Sequence, residues 1–324
     1  MMETKKILVA LSKTEDRHKE QYETAVRGGS VPCEIRFVKT ENVTEADLAD
    51  VNGVIGYLQA DLLRAAKKLE WIHLSWSGVD AFIKPGLLDE SVIVCNARGA
   101  HGLAVSEHMV ALTMMLVRRL YRYRDNQTKH VWNMEGETIS VEGATIAVLG
   151  IGNIGGDYAR KVKAMGAHVI GVRRRDGEKP DGVDEQFTVD RLDEVLPRAD
   201  IVAMNLPGGE ATMNLMDERR LRLMKKGAFL INVGRGISVD QAALIRVLKE
   251  GHLGGAALDV TVPEPLPADD PLWDAPNLVI TPHVASNYLL AETFERFVQI
   301  SAANLKRYAN GEALENVVDR ATGY

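Results

Sequence analysis

The stretch that most constrains this chain is residues 144–162, ATIAVLGIGNIGGDYARKV. Thr145–Leu149 is an apolar run long enough for one buried strand. Gly150, Gly152 and Gly155 follow in GxGxxG spacing, and Ile154, Tyr158 and Val162 then recur at four-residue steps, the period of a helix. Strand, glycine turn and helix in that order make a dinucleotide site. The first glycine turns the chain out of the strand, the second lets backbone approach a pyrophosphate, and the third lets helix pack on strand. The helix N-terminus then offers N–H groups and the positive end of its dipole to the phosphates. A second apolar run, residues 168–172, ends about 20 residues on, where the residue that reads the ribose belongs. Gly150, Gly152, Asn153, Ile154 and Gly155 are therefore candidate cofactor-binding residues.

The 324 residues suffice for two domains of ordinary size. A net charge of −6 argues against a general nucleic-acid or anionic-membrane binder. Cys33 and Cys95 form no CxxC, sit in or beside apolar runs and read as buried free thiols; no spacing suggests a metal site. The apolar run at residues 7–11 is too short for a signal core, and no run approaches a membrane span. The expectation is a cytoplasmic protein.

Strand-like runs at residues 5–12, 33–38, 53–57, 71–75 and 92–95 alternate with helical patterns at 16–27 and 60–67. Such alternation implies a parallel sheet covered on both faces. Residues 101–129 read as one long helix, whose end carries Arg118, Arg119, Arg122 and Arg124 as a solvated or interface face; His108 and His130 are isolated. From residue 143 the dinucleotide unit begins. After its second strand come helices at 189–196, 218–224 and 241–249 and strands at 200–206, 228–233, 256–260 and 277–281. A last amphipathic helix spans 289–310. The proline-rich segment 262–276 reads as a surface loop.

A nucleotide fold does not specify a reaction. Ligands of such sheets sit at the carboxyl ends of the strands, and three chemically apt residues follow three strands there: Arg235 after FLINV, Glu264 after AALDV and a short linker, and His283 after LVITP. A guanidinium holds a carboxylate by a two-pronged hydrogen bond. A histidine gives or takes a proton near neutral pH, and a neighbouring carboxylate orients the ring and favours imidazolium. Together they suit reduction of a carbonyl next to a carboxylate. Each residue taken alone is equally at home as a cap, a loop carboxylate or a core histidine.

Several stretches make the chain resemble the D-isomer-specific 2-hydroxyacid dehydrogenases nearly end to end: VLGIGNIG (148–155), LINVGRG (230–236), ALDVTVPEPLP (257–267), PLW (271–273) and NLVITPHVAS (277–286). The resemblance implies an α/β fold of two doubly wound parallel-sheet domains. A Rossmann cofactor domain, residues 100–287, would be inserted in a flavodoxin-like substrate domain, residues 1–99 and 288–324. It implies Arg235 as ligand of the substrate carboxylate and carbonyl, His283 as acid/base and Glu264 as its partner. Asp259 would bind the nicotinamide carboxamide, and Leu206, Pro207, Val233, Gly234 and Ala285, with Arg235 and His283, would lie along the dinucleotide. Trp76, Ser77, Gly78 and Val79, before Asp80, resemble the family's loop whose N–H groups bind the substrate carboxylate. Tyr57 and Leu58 fall where the family lines its substrate pocket. The region after His101, with Trp132, resembles a dimer-forming segment, which implies a homodimer.

One departure bears on the cofactor. Where NAD-preferring members carry an acidic residue after the second strand, this chain has Arg173, Arg174 and Arg175. Guanidinium suits a ribose phosphate, so NADP(H) is expected to be preferred, with NAD(H) possible. The leading expectation is an NADPH-preferring reductase of small 2-oxo acids, of the glyoxylate/hydroxypyruvate kind. A formate-dehydrogenase-like branch has glutamine beside its histidine, and Glu264 argues against it. A non-enzymatic dinucleotide sensor, like the corepressors that share this fold, keeps the same residues and stays open; no basic tail supports it. The chain stops at Tyr324, without the regulatory extension of many phosphoglycerate dehydrogenases.

Overall fold

The computed structural model describes residues 3–286, 288 and 290–320. The chain opens with β1 (Lys5–Ala10), α1 (Asp16–Val26), β2 (Cys33–Val38), the single turn α2 (Glu45–Leu48), β3 (Gly53–Gly56), β4 (Trp71–Leu74) and β5 (Ile93–Cys95). It continues through α3 (Gly102–Val117), α4 (Leu120–Thr128), β6 (Thr145–Leu149), α5 (Asn153–Ala164), β7 (His168–Arg173), β8 (Glu185–Thr188), α6 (Leu192–Val195) and β9 (Ile201–Met204). The remaining elements are α7 (Glu218–Leu223), β10 (Phe229–Asn232), α8 (Gln241–Lys249), β11 (Gly255–Leu258), β12 (Leu278–Ile280) and α9 (Ala291–Asn310). No described helix is long and apolar enough to cross a membrane.

The elements fall into two compact units, one built from the chain up to His101 and from Tyr288 onward, the other from residues between them. The fold is α/β with two parallel sheets. The first unit has strand order β2-β1-β3-β4-β5 and the second β12-β11-β10-β9-β6-β7-β8. Both are doubly wound orders.

Both faces of each sheet are covered, so the central strands are largely apolar and their residues alternate between the two layers. In the second unit, Ala147, Leu149, Ile170, Val202, Met204, Leu230 and Leu258 face one layer of helices, with Leu221, Leu244 and Val247. Ile146, Val148, Val169, Ile201, Ala203 and Ile231 face the other, with Met109 and Leu112 of α3 and Tyr158 and Val162 of α5. The first unit repeats the plan: Leu8, Val54, Ile72 and Leu74 point to one face. Ile7, Val9, Ile55 and Trp71 point to the other, where Tyr22 of α1 meets Phe297 and Val298 of α9.

Four local expectations change. The helix expected over 101–129 is two helices, α3 and α4, broken at Arg119, whose backbone is left-handed at φ 53. Arg119 and Arg122 are tethers, not a solvated face. Arg119 Nε donates to Glu137 O, and Arg122 reaches Asn277 Oδ1 and Glu135 Oε2. The helix expected at 60–67 is 3₁₀ over Ala60–Ala65. Strand β8 carries no apolar run and was not expected; it pairs at the sheet edge with β7, and all four of its residues are half-buried. The expected start of the last helix at Leu289 lies outside the described residues, as do residues 1–2, 287 and 321–324 of the expected domain ranges.

Candidate active site

All seven strands of the second sheet run parallel, so the turns after β6, β7, β9, β10, β11 and β12 emerge on one edge. The chain order reverses between β6 and β9, which is where such sheets take ligands. The sequence-expected residues of this unit lie in those turns, except Arg173 at the last position of β7 and Asn153, Ile154 and Gly155 in the first turn of α5.

The glycine turn fits a dinucleotide. A Cβ on Gly155 would lie 2.0 Å from Gly150 O, so helix and strand could not approach with any larger residue there. Gly152 caps α5 with no side-chain acceptor, which leaves first-turn N–H groups for phosphate. Ile154 is partly buried against the core below. Asn205 braces the turn by donating from Nδ2 to Leu149 O, and Leu206 follows it, half-buried, before exposed Pro207. At the end of β7, Arg173 folds back so that Nη1 donates to Glu178 O at 3.0 Å, while Arg174 and Arg175 are exposed.

After β10 the turn is organised by a fully buried asparagine. Asn232 Oδ1 accepts from Gly234 N and its Nδ2 donates to Arg235 O, which Ser238 Oγ also engages. The main chain at Arg235 is thus held independently of its guanidinium, whose Nη1 donates to Gly234 O. A Cβ on Gly236 would lie 2.2 Å from Thr261 O, so glycine alone lets this turn touch the segment leading to Glu264. Val233 is buried beside it.

Glu264 and His283 are brought together. Glu264 Oε2 lies 2.7 Å from His283 Nδ1, and Oε1 accepts from Thr261 N at 3.0 Å. The carboxylate is thereby fixed at one end and aims at the ring with the other. His283 is itself left-handed, at φ 52, a conformation that costs a residue with a Cβ about 1–2 kcal/mol. Asp259, buried, holds it there. Its Oδ1 accepts from Thr281 Oγ1 at 2.6 Å and Val284 N at 2.9 Å, its Oδ2 accepts from Ala285 N at 2.9 Å, and its carbonyl accepts from His283 N at 2.8 Å. Asp259, expected at the nicotinamide, is therefore already the anchor of the histidine loop.

The first unit carries the other expected residues. Tyr57 is exposed, with its ring edge-on to Trp76 and Phe82. The side chains of Leu58 and Val79 lie in the core with Leu63, Ile72 and Leu74, which leaves their main chain to face a substrate. Ser77 and Gly78 are half-buried in the loop after β4.

Sequence reasoning missed Asn205, Asn232, Thr281 and His108. His108 Nε2 lies 3.1 Å from Thr281 Oγ1 and 3.6 Å from Asp259 Oδ1, so this supposedly isolated histidine stands beneath the His283 loop. Asn232 and Thr281 sat in quoted strands, yet nothing local distinguishes a bracing asparagine from a strand-end residue. Among the described residues no cluster could hold a metal ion.

The model for the family described as "D-isomer specific 2-hydroxyacid dehydrogenase, NAD binding domain" matches residues 110–285. A glyoxylate reductase of Korarchaeum cryptofilum is 34% identical over 288 residues, covering 86% of this chain and 85% of the relative. A D-isomer specific 2-hydroxyacid dehydrogenase from Xanthobacter autotrophicus, solved with NADPH and MES, is similar with TM-score 0.81 and 27% identity over 99% of each chain. An NADPH-dependent glyoxylate/hydroxypyruvate reductase from Sinorhizobium meliloti, solved with NADP and sulfate, gives TM-score 0.81 and 27% identity, covering 99% of this chain and all of that one.

Proposed function

The chain belongs to the D-isomer specific 2-hydroxyacid dehydrogenases, and from that membership we propose that it is an NADPH-preferring reductase of small 2-oxo acids of the glyoxylate/hydroxypyruvate kind. The observation that carries the reading is the Glu264–His283 pair at 2.7 Å, set on the same sheet edge as Arg235 and the glycine turn. The Glu264 carboxylate accepts a hydrogen bond from Nδ1–H, which fixes the ring, and the imidazolium form of His283 gives its Nε2 proton to the substrate's carbonyl oxygen, leaving a neutral imidazole. Arg235 binds the substrate carboxylate through its planar fork and polarises the adjacent carbonyl. The reduced nicotinamide, when bound, supplies the hydride. Gly150, Gly152 and the first turn of α5 hold its phosphates, with Leu206, Pro207, Val233, Gly234 and Ala285 alongside. In the first unit, backbone N–H groups of the Trp76–Ser77–Gly78–Val79 loop bind the carboxylate, and Tyr57 borders the substrate side chain. Steady-state reduction of a panel from glyoxylate to phenylpyruvate, with each nicotinamide, tests the substrate class.

Glu264→Gln keeps an acceptor for Nδ1–H and removes the charge. A hydrogen bond to a charged partner exceeds a neutral one by roughly 1–1.5 kcal/mol, trimmed here because both side chains are partly exposed. The expected result is a loss of about tenfold in kcat with dinucleotide affinity retained; unchanged kcat would remove Glu264 from the mechanism.

The geometry of the arginine run favours Arg174 and Arg175 as ligands of the 2′-phosphate, since Arg173 is committed to Glu178 O. Arg174→Ala with Arg175→Ala is expected to reduce the NADPH-over-NADH ratio of kcat/KM by about tenfold or more at low salt, less as salt rises. Arg173→Ala should change it less. An unmoved ratio in the double variant would leave these arginines a solvated loop.

We also propose a homodimer built on the segment from α3 to residue 139. Val131, Trp132, Met134 and Ile139 are exposed there, with Leu120 and Tyr123 of α4, an apolar concentration that monomers seldom leave open. Light scattering at micromolar concentration is expected to give twice the chain mass; a monomer mass would contradict this.

A further inference from the structure

The carboxylate-binding loop of the first unit is held from behind. Three successive carbonyls are occupied: Ser75 O accepts from both His101 Nε2, at 3.0 Å, and the Tyr288 hydroxyl; Trp76 O accepts from Ala97 N at 3.1 Å; Ser77 O accepts from Asn96 Nδ2 at 3.0 Å. Among the described residues the cis peptide bonds are elsewhere, at Val262–Pro263 and Glu264–Pro265. In a trans peptide the C=O of one residue and the N–H of the next point in opposite directions. Pinning the carbonyls of Ser75, Trp76 and Ser77 therefore turns the N–H groups of Trp76, Ser77 and Gly78 the other way, as a row of donors suited to an anion. Two of the four tethers come from residues that flank the second unit in sequence, His101 before it and Tyr288 after it.

We propose that Tyr288 and His101 are positioning residues for the reaction, a donor pair on one carbonyl that sets the orientation of the substrate-carboxylate cradle. The inference rests on the reading of the protein as a 2-oxo acid reductase. The pair is built for steady donation. Burial holds the Tyr288 phenol protonated, pushing its pKa well up, and holds the His101 ring neutral, pushing its pKa down; Nε2 then carries the proton given to Ser75 O. Both rings pack on the loop they orient. His101 stacks on Trp76 at 5.8 Å and 10°, and Tyr288 lies 5.6 Å from Trp76 and 5.7 Å from His101. A phenol donating beside a second donor to one oxygen makes a sterically exact stop for the peptide plane, where packing alone would leave it free to rotate. Neither residue need touch substrate for this role.

The test is Tyr288→Phe, which keeps the ring on Trp76 and removes only the donor. The expected result is a rise of about 2- to 12-fold in KM for the 2-oxo acid, the worth of one net hydrogen bond. The inhibition constant of oxamate, a non-reacting 2-oxo acid mimic, should rise by the same factor. The turnover number and the KM for the dinucleotide should stay within about twofold, as expected when substrate binding is weakened uniformly. Adding His101→Phe, which keeps an aromatic ring and removes the second donor, should deepen the KM and oxamate effects. Wild-type turnover with an unmoved KM and oxamate constant in Tyr288→Phe would overturn the inference alone. A parallel fall in kcat, dinucleotide affinity and thermal midpoint would also overturn it, by showing a general packing role. Wild-type protein that reduces no 2-oxo acid would overturn the functional reading and this inference with it.

Discussion

His283→Ala is expected to lower kcat by about 100- to 10,000-fold, the usual contribution of a positioned general acid, while dinucleotide affinity stays within a few-fold. The asymmetry follows from how the loop is held. Asp259 accepts from Thr281 Oγ1, Val284 N and Ala285 N, none of which involves the imidazole, so the loop keeps its anchor when the ring is removed. The left-handed backbone at residue 283 remains a cost for alanine. His283→Asn, which tolerates that conformation better, is the companion variant. Both should lose turnover to a similar extent if the proton donor is what matters. Equal loss of dinucleotide affinity and thermal midpoint in both would mean that His283 holds the loop instead.

The second large effect belongs to Arg235. Removing its guanidinium should cost kcat/KM roughly 100- to 10,000-fold, since two charge-assisted hydrogen bonds at about 1.5–3 kcal/mol each are lost. Arg235→Gln is the variant of choice, because Asn232 and Ser238 hold the backbone carbonyl of residue 235 and not its side chain. Arg235→Lys should recover part of the loss: an ammonium keeps the charge but cannot present a planar fork. The check is steady-state kinetics over a range of 2-oxo acid concentrations. Arg235→Gln within a few-fold of wild type would show that the carboxylate is bound without it.

Much of this was legible in the residues. Buried parallel strands announce themselves because both faces are covered, so Thr145–Leu149 and Ile201–Met204 read as uninterrupted apolar runs. The edge strand Glu185–Thr188 did not, because its four half-buried residues carry no such run. The break at Arg119 escaped notice because its neighbours keep a helical composition and only the backbone angle records it. Arg235, Glu264 and His283 stood out as polar residues among glycines and prolines at strand ends. Their supports did not. Asn232, Thr281 and His108 act through hydrogen bonds made only on folding, and such contacts leave no period or spacing to detect. Leu58 and Val79 were read from family resemblance, which does not say that the first unit places both side chains in its core and leaves only their main chain for a ligand.

Glu264 and His283 are proposed to handle the proton in carbonyl reduction by this chain. The most direct test is the steady-state oxidation of NADPH by the purified protein with glyoxylate and with hydroxypyruvate, alongside direct titration of NADPH binding. The expected result is saturable turnover with at least one of them that collapses in His283→Ala while that variant still binds NADPH. Tight NADPH binding with no turnover on any 2-oxo acid would contradict it and identify the protein as a dinucleotide sensor.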